Sequence, residues 1–252
     1  MADEAKAWWG ANAREFQEYA QLPIAVIYGR HITEEKLQLI GSVAGKQLLE
    51  IGCGGAQCGI AFAKQGALVT GVDIAAAQLA IARELAEQNG VSITFHQRDM
   101  TDLTPIASAS QDIVFSSIAF HYVDDIVSCF KEVHRVLKAQ GMFVFSIGHP
   151  FSAMMDGTTL LPTRSYFDTG KVVLGLEVSD EVGFAFAENR RTVSDYFSAL
   201  VGAGFMVEEM IEPDVRPVDP TDPKNHLWGQ TPQFFETFPG ILIFKSKKPT
   251  CG

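Results

Sequence analysis

The feature that most constrains the fold is a glycine-rich turn after a short apolar strand. The predicted strand covers residues 47–51, the turn reads Gly52-Cys53-Gly54-Gly55, and a helical pattern begins near Gln57. We call residues 52–55 the glycine turn. Glycines at such a place allow a sharp bend and let a ligand approach the backbone closely. Because the free N–H groups at the start of the next helix favour an anionic group, the turn is predicted to bind a nucleotide-like ligand.

A second predicted strand ends at Asp73, about 20 residues beyond the first glycine of the turn, where nucleotide-binding α/β folds carry an acid for the ribose hydroxyls. A dinucleotide fingerprint would have a third glycine at the position of Gln57. The carboxylate of Glu50, just before the turn, would repel a pyrophosphate and attract an ammonium group. The pattern therefore favours S-adenosylmethionine, with an NAD(P)-dependent oxidoreductase as the alternative.

Short β-branched runs alternate with amphipathic helical patterns between residues 46 and 147. This alternation predicts parallel strands with helices on both faces of one sheet. The predicted strands are 47–51, 68–72, 92–96, 112–116 and 142–147. Helices are predicted from residue 57, over 78–89 and over 125–137.

The segments outside this alternation have other patterns. Residues 1–45 predict two or three short helices, and a capping-box pattern at Thr192 and Asp195 starts a last helix over 192–203. Two closing strands are predicted over 205–211 and 241–245. We therefore expect one domain over 1–252, with a helical lid (1–45), a cofactor-binding core (46–149), a substrate-cap insertion (150–191) and a C-terminal part with a long Pro-rich, aromatic loop (192–252).

Composition narrows the possible partners. The 252 residues are 47% hydrophobic, and the formal net charge is -10. Since an acidic surface repels phosphate backbones, we expect no nucleic-acid partner. The first twenty residues do not resemble a signal peptide, no apolar run reaches about 18 residues, and the four cysteines do not look like a disulfide framework. We therefore expect a cytoplasmic protein without a membrane partner.

Five short motifs follow one another in the order of the predicted strands. They are Glu50-Ile51-Gly52-Cys53-Gly54, Gly71-Val72-Asp73, the segment 97–100, the segment 112–117, and the segment 132–138 followed by Gly141. Together they resemble the motif series of class I S-adenosylmethionine-dependent methyltransferases. The resemblance implies a Rossmann-like α/β fold: a seven-stranded, mostly parallel sheet with an antiparallel last strand, helices on both faces, and lid insertions.

The resemblance also implies roles for individual residues in binding S-adenosylmethionine, whose product is S-adenosylhomocysteine. Glu50, Gly52 and Gly54 would line the methionine end, and Asp73 would hold the ribose hydroxyls. Five further residues are candidates for the rest of the cofactor site. Ile74, Asp99 and Met100 would frame the adenine, and Ser116 or Ser117 would lie beneath the methionine moiety.

Two histidines follow predicted strands at the ligand side of the sheet. His121 comes after the fourth strand and His149 after the fifth, and ligands of open α/β sheets bind at the carboxyl ends of strands. A histidine is well suited to remove a proton from a methyl acceptor near neutral pH. Both are therefore candidate catalytic bases or substrate-orienting groups.

The acceptor is predicted to be a small, largely apolar molecule, methylated on N or O, because three aromatic-rich stretches suit a lid over such a pocket. Secondary metabolism is one setting for such an enzyme. The candidate substrate-binding residues are Tyr28, His31, Tyr122, Phe151, Tyr166 and Trp228. No metal is predicted, since Asp156 and Asp168 do not form an obvious ligand pair. A non-catalytic S-adenosylmethionine-binding protein is a second alternative.

Overall fold

The computed structural model describes residues 2–29, 32–177, 183–216, 218 and 231–250. Its main sheet has seven strands in the order β3-β2-β1-β4-β5-β9-β8. These strands are β1 (Gln47–Ile51), β2 (Leu68–Asp73), β3 (Thr94–Gln97), β4 (Gln111–Ser117), β5 (Leu137–Gly148), β8 (Met206–Ile211) and β9 (Ile241–Lys247). The first five strands pair in parallel, and β9 is antiparallel to both neighbours. This confirms the predicted Rossmann-like sheet and its antiparallel last strand.

Helices connect the strands and flank the sheet. They are α1 (Ala2–Ala20), α2 (Glu34–Leu37), α3 (Gln57–Lys64), α4 (Ala76–Gln88), α5 (Ile126–Val136), α6 (Val193–Gly202) and α7 (Pro232–Thr237). Side chains cap the starts of α5 and α6, and the sequence predicts the second of these caps. The Asp125 carboxylate accepts the N–H of Ser128 at the start of α5, and Thr192 and Asp195 form a complete capping box at α6.

The sheet is buried on both faces because side chains alternate along each strand. Leu48 of β1 belongs to the cluster that contains Phe62 of α3, whereas its neighbour Leu49 belongs to the cluster that contains Phe130 of α5. All four side chains are almost completely buried. Both faces are therefore covered, and the carboxyl ends of the parallel strands become the open edge where a ligand can enter.

The two lid segments differ from the predictions. The N-terminal segment contains one long helix, α1, followed by the single turn α2, rather than only short helices. The predicted substrate-cap insertion (150–191), for which the sequence analysis names no strands, contains an antiparallel hairpin of β6 (Gly170–Glu177) and β7 (Gly183–Arg190). Its glycines and charged residues conceal the alternation by which strands are recognised. In the described part of the chain, no helix is long and apolar enough to span a membrane.

Candidate functional site

A cavity of about 760 Å³ lies at the carboxyl edge of the sheet, beneath α1 and the β6–β7 hairpin. Its size is within the range of small-molecule pockets, about 300–1,000 Å³. The glycine turn and Asp73 line one part of it, and His121, Tyr122 and Tyr166 line another. Because these groups share one cavity, a bound nucleotide and a second small molecule could meet inside it.

The glycine turn is bent in a way that requires glycine. Gly52 has φ +63° and Gly54 has φ +53°, which side chains adopt only with strain. A Cβ atom on Gly52 would lie 2.5 Å from the Cβ of Ala119 and 3.2 Å from the Sδ of Met100. The missing side chain therefore both permits the bend and leaves space between β1 and the residues that follow β4.

The carboxylate of Asp73 holds the glycine turn from the end of β2. Its Oδ2 accepts the N–H of Gly54 at 2.8 Å, and its Oδ1 accepts the N–H of Ala75 at 2.9 Å. The side chain is buried from bulk water but lines the cavity, and this burial raises the pKa of its carboxyl group. Asp73 is thus fixed in one orientation, with lone pairs available to a ligand.

Glu50 is a second buried carboxyl group at the same end of the cavity. Its Oε2 accepts the N–H of Gly59 at 2.8 Å, and a Cβ on Gly59 would collide with that oxygen at 2.5 Å. Burial, and to a smaller degree the charge of Asp73, raises the pKa of Glu50 to about 8. A cationic group brought next to Glu50 would favour its ionised form, so this position suits an ammonium group.

The predicted adenine-framing residues line the cavity as a group. Ile74 follows β2, and Asp99 and Met100 follow β3, at adjacent strand ends. The Oδ1 of Asp99 accepts both the N–H and the hydroxyl of Thr101, at 2.8 and 2.7 Å. These contacts fix the Asp99 carboxylate in the cavity lining.

The two serines at the end of β4 separate into different environments. Ser117 lines the cavity. Ser116 is completely buried, does not line the cavity, and its hydroxyl has no partner among the residues that the structure describes. Since neighbouring side chains of a strand point to opposite faces, only Ser117 fits the predicted place beneath the methionine moiety.

His121 and Tyr122 form a 3-10 turn after β4 and face the cavity together. Their rings are 4.3 Å apart, and Trp9 of α1 packs edge-on against Tyr122 at 5.7 Å. Burial, with a smaller contribution from the positive charge of Arg191, lowers the pKa of His121 to about 4. The imidazole is therefore neutral at pH 7 and can accept a proton or a hydrogen bond from a ligand.

His149 also lines the cavity, but both of its ring nitrogens are engaged. The N–H of Phe151 donates to Nδ1 at 3.1 Å, and Nε2 lies 2.7 Å from the Glu212 carboxylate. The proton of the neutral ring therefore lies on Nε2. Burial lowers the pKa of His149, against the opposing effect of Glu212. This arrangement corrects its predicted role: His149 anchors the end of β5 and has no free nitrogen for a substrate proton.

The predicted substrate-binding residues divide into three groups. Tyr122 and Tyr166 line the cavity, and the Tyr166 hydroxyl accepts the N–H of Val193 at 2.8 Å. Tyr28 and Phe151 are not part of the cavity lining. His31 and Trp228 lie outside the described residues.

Tyr28 and Phe151 do not reach the cavity. Tyr28 is completely buried beside Phe115, and its hydroxyl donates to Glu34 at 2.5 Å. Phe151 is 37% exposed and packs against Phe238 on the outer side. Both predictions took aromatic character as a sign of ligand contact, but here the rings pack against the protein itself.

Two contributions to the cavity were not predicted from the sequence. In α1, Gln17 bridges the starts of α3 and α4, since it accepts from Gln57 at 2.5 Å and donates to Gln78 at 3.0 Å. Gln57, which replaces the third glycine of a dinucleotide fingerprint, is thus part of a polar clamp. The second contribution is a set of arginines next to Glu188. Its only sequence signal is the pair Arg190-Arg191 in an acidic chain.

The described ranges contain no group of three or more His, Cys, Asp or Glu residues placed to hold a metal ion. The cysteines Cys53, Cys58 and Cys129 are free and buried, and burial raises the pKa of each thiol. They act as small packing residues.

Comparisons with known proteins agree on one kind of domain. Residues 49–145 match the family model described as a methyltransferase domain. A ubiquinone biosynthesis O-methyltransferase from Actinobacillus pleuropneumoniae is 30% identical over 146 residues, which are 56% of this chain and 59% of that protein. The protein of the same name from Pseudomonas savastanoi is 28% identical over 228 residues, which are 82% of this chain and 93% of the other.

A solved structure is similar over most of the chain. The crystal structure of an S-adenosylmethionine-dependent methyltransferase from Mesorhizobium loti has 25% sequence identity and a TM-score of 0.65, and the match covers 84% of this chain and 94% of that chain.

Several curated relatives at 30–35% identity are matched over only 47–62% of their own length. The family model includes the glycine turn, Asp73 and the end of β4, which line the cavity.

Proposed function

Since the chain belongs to the class I S-adenosylmethionine-dependent methyltransferases, we propose that it transfers a methyl group to an oxygen or nitrogen atom of a small, largely apolar acceptor. One observation carries the proposal: the glycine turn with Asp73 and the His121–Tyr122 turn open into the same cavity of about 760 Å³. The names of the O-methyltransferase relatives favour oxygen as the reacting atom.

The residues at the sheet edge fit the cofactor of this family. The space that a Cβ on Gly52 would fill lies against Met100, so a ligand can pass close to the backbone there. Asp73 would accept hydrogen bonds from the ribose hydroxyls, and Glu50 would face the ammonium group of the methionine end. Ile74, Asp99 and Met100 would frame the adenine, with Ser117 beneath the methionine moiety.

Bound S-adenosylmethionine supplies an electrophilic methyl group on a sulfonium sulfur. The chain's own work is then to hold the acceptor in line with that group and to exclude water, since proximity and orientation can remove much of such a barrier. Helix α1 packs Trp9 against Tyr122 and connects Gln17 to Gln57, at the start of α3 just after the glycine turn. It therefore forms part of the wall that separates the cavity from water.

An acceptor that reacts through an O–H or N–H group must also lose a proton. His121 is the candidate proton acceptor, because it lines the cavity and its lowered pKa of about 4 keeps the ring unprotonated. The same low pKa makes it a modest base. We therefore expect His121 to act mainly through its position: its ring nitrogen accepts a hydrogen bond from the small-molecule substrate as the methyl group is transferred.

Two measurements test this proposal. Calorimetric titration with S-adenosylhomocysteine should give one binding site per chain, and NAD(H) should give none. A screen of phenols, amines and carboxylic acids with methyl-labelled S-adenosylmethionine should then label at least one compound, and the label should be lost in His121→Ala. Absence of cofactor binding would refute the proposal, while cofactor binding without transfer to any compound would favour a non-catalytic binding protein.

A further inference from the structure

Arginine side chains form an unusual cluster in the wall of the cavity. Arg164 precedes the β6–β7 hairpin, Arg190 ends β7, and both line the cavity. The side chain of Arg190 is only 9% exposed. Its Nη1 and the Nε of Arg164 are fully buried and have no hydrogen-bond partner among the described residues. Since buried charged donors are normally paired, these two groups indicate a missing partner.

The charges around the cluster do not satisfy it. Among the described residues, the carboxylate in contact with Arg190 is that of Glu188, whose Oε1 lies 3.4 Å from the Arg190 Nε. Burial raises the pKa of Glu188 to about 7, and the charge of Arg164 lowers it less strongly. Asp168, also in the cavity lining, accepts from the N–H of Ser165. The cluster therefore keeps an excess of positive charge in a chain whose net charge is -10.

The cluster lies next to the His121–Tyr122 turn rather than next to the glycine turn. Arg191, next to Arg190, donates to the carbonyl oxygens of Phe120, at 3.3 Å, and of Asp124, at 2.8 Å. Asn189 donates to the carbonyl oxygen of Val123 at 3.0 Å. The end of β7 is thus attached to the His121–Tyr122 turn, where the proposed proton acceptor lies.

We propose that the acceptor carries a carboxylate, and that Arg164 and Arg190 bind it. A guanidinium group presents planar N–H donors that match the two oxygens of a carboxylate, and such charge-assisted bonds are strong in a cavity shielded from water. This inference rests on the proposed function and narrows it, because an otherwise apolar acceptor would be held by one anionic end with its reacting atom near His121.

The cofactor is a second source of a carboxylate, since its methionine end carries one. S-Adenosylhomocysteine carries the same group and therefore separates the two sources. If the arginines bind the acceptor, Arg164→Met and Arg190→Met should bind S-adenosylhomocysteine within about 3-fold of the unchanged protein. A loss of about 10-fold or more would assign the arginines to the cofactor and overturn the proposal.

The direct test compares acids with their neutral amides. Benzoate, phenylacetate and 3-phenylpropanoate are titrated into the full chain saturated with S-adenosylhomocysteine, at constant ionic strength, beside benzamide, phenylacetamide and 3-phenylpropanamide. At least one acid should bind about 10-fold more tightly than its amide. Arg164→Met and Arg190→Met should each remove most of this preference. Arg216→Met, which removes an exposed arginine paired with Asp214, is the matched control and should keep it.

Two outcomes of these titrations would overturn the proposal that the arginines bind a carboxylate. If no acid is preferred over its amide by the unchanged protein, or if the preference survives in both Arg164→Met and Arg190→Met, the proposal is wrong. The comparison on the unchanged protein stands even where a variant does not fold. A protein that fails to bind S-adenosylhomocysteine is titrated without it, so failure of the proposed function and failure of this inference are seen separately.

Discussion

Replacing Gly52 with alanine tests whether the glycine turn is shaped for a ligand. The substitution places a Cβ in a left-handed conformation, at φ +63°, which costs about 1–2 kcal/mol. The same Cβ would lie 2.5 Å from that of Ala119, and relieving such overpacking costs about 1–3 kcal/mol more. The free energy of unfolding should therefore fall by about 2–5 kcal/mol. Because the turn must move, affinity for S-adenosylhomocysteine should fall by about 10-fold or more.

The matched control is Gly90→Ala. Gly90 follows α4 with φ +66°, and a Cβ there would meet nothing within 4 Å. It should lose only about 1–2 kcal/mol and keep its affinity for S-adenosylhomocysteine. Urea unfolding and calorimetric titration of both variants give the comparison. Equal stability losses, or unchanged cofactor affinity in Gly52→Ala, would refute the argument from the Cβ contact.

Three further predictions concern single side chains. Burial raises the pKa of Glu50 to about 8, against an ordinary 4.5. The protonated Glu50 carboxyl group therefore contributes fully to the free energy of unfolding below about pH 4.5, and this contribution is lost as the pH rises through 8. In urea unfolding without ligand, Glu50→Gln should therefore be more stable than the unchanged protein at pH 8 and similar to it at pH 4.5, with weaker S-adenosylhomocysteine binding. His121→Ala should lower kcat by about 100-fold or more with unchanged cofactor affinity, and an unaltered kcat would exclude it as the proton acceptor. Tyr28→Phe should cost about 1 kcal/mol of stability through the lost bond to Glu34, whereas reduced methyl transfer in a stable Tyr28→Phe protein would contradict its place in the core.

The sequence predicts local features well where one short signal decides the structure. The strand β1 begins and ends as predicted, because its apolar run is bounded by the glycine turn. The capping box of Thr192 and Asp195 also forms as predicted, because its two partners are only three residues apart in the chain. The glycine turn, Asp73 and Asp99 reach one edge because parallel strands share a direction.

Other features depend on packing that no local pattern contains. Ser116 and Ser117 are adjacent and chemically alike, and only the register of β4 decides which one lines the cavity. Tyr28 and Phe151 have the composition of a ligand-binding lid but pack against other aromatic rings. Arg164 and Arg190 are far apart in the chain, and only the fold brings both into the cavity wall.

The most direct test of the central claim is the affinity of S-adenosylhomocysteine for Asp73→Asn. Asp112→Asn is the control, because Asp112 also accepts a backbone N–H, from Gln47, and pairs with Lys138, but it lies outside the cavity lining. If Asp73 holds the ribose, calorimetry should show tight binding by the unchanged protein and by Asp112→Asn, and affinity about 10- to 100-fold weaker for Asp73→Asn. Equal affinity in all three proteins, or no binding by the unchanged protein, would contradict the account.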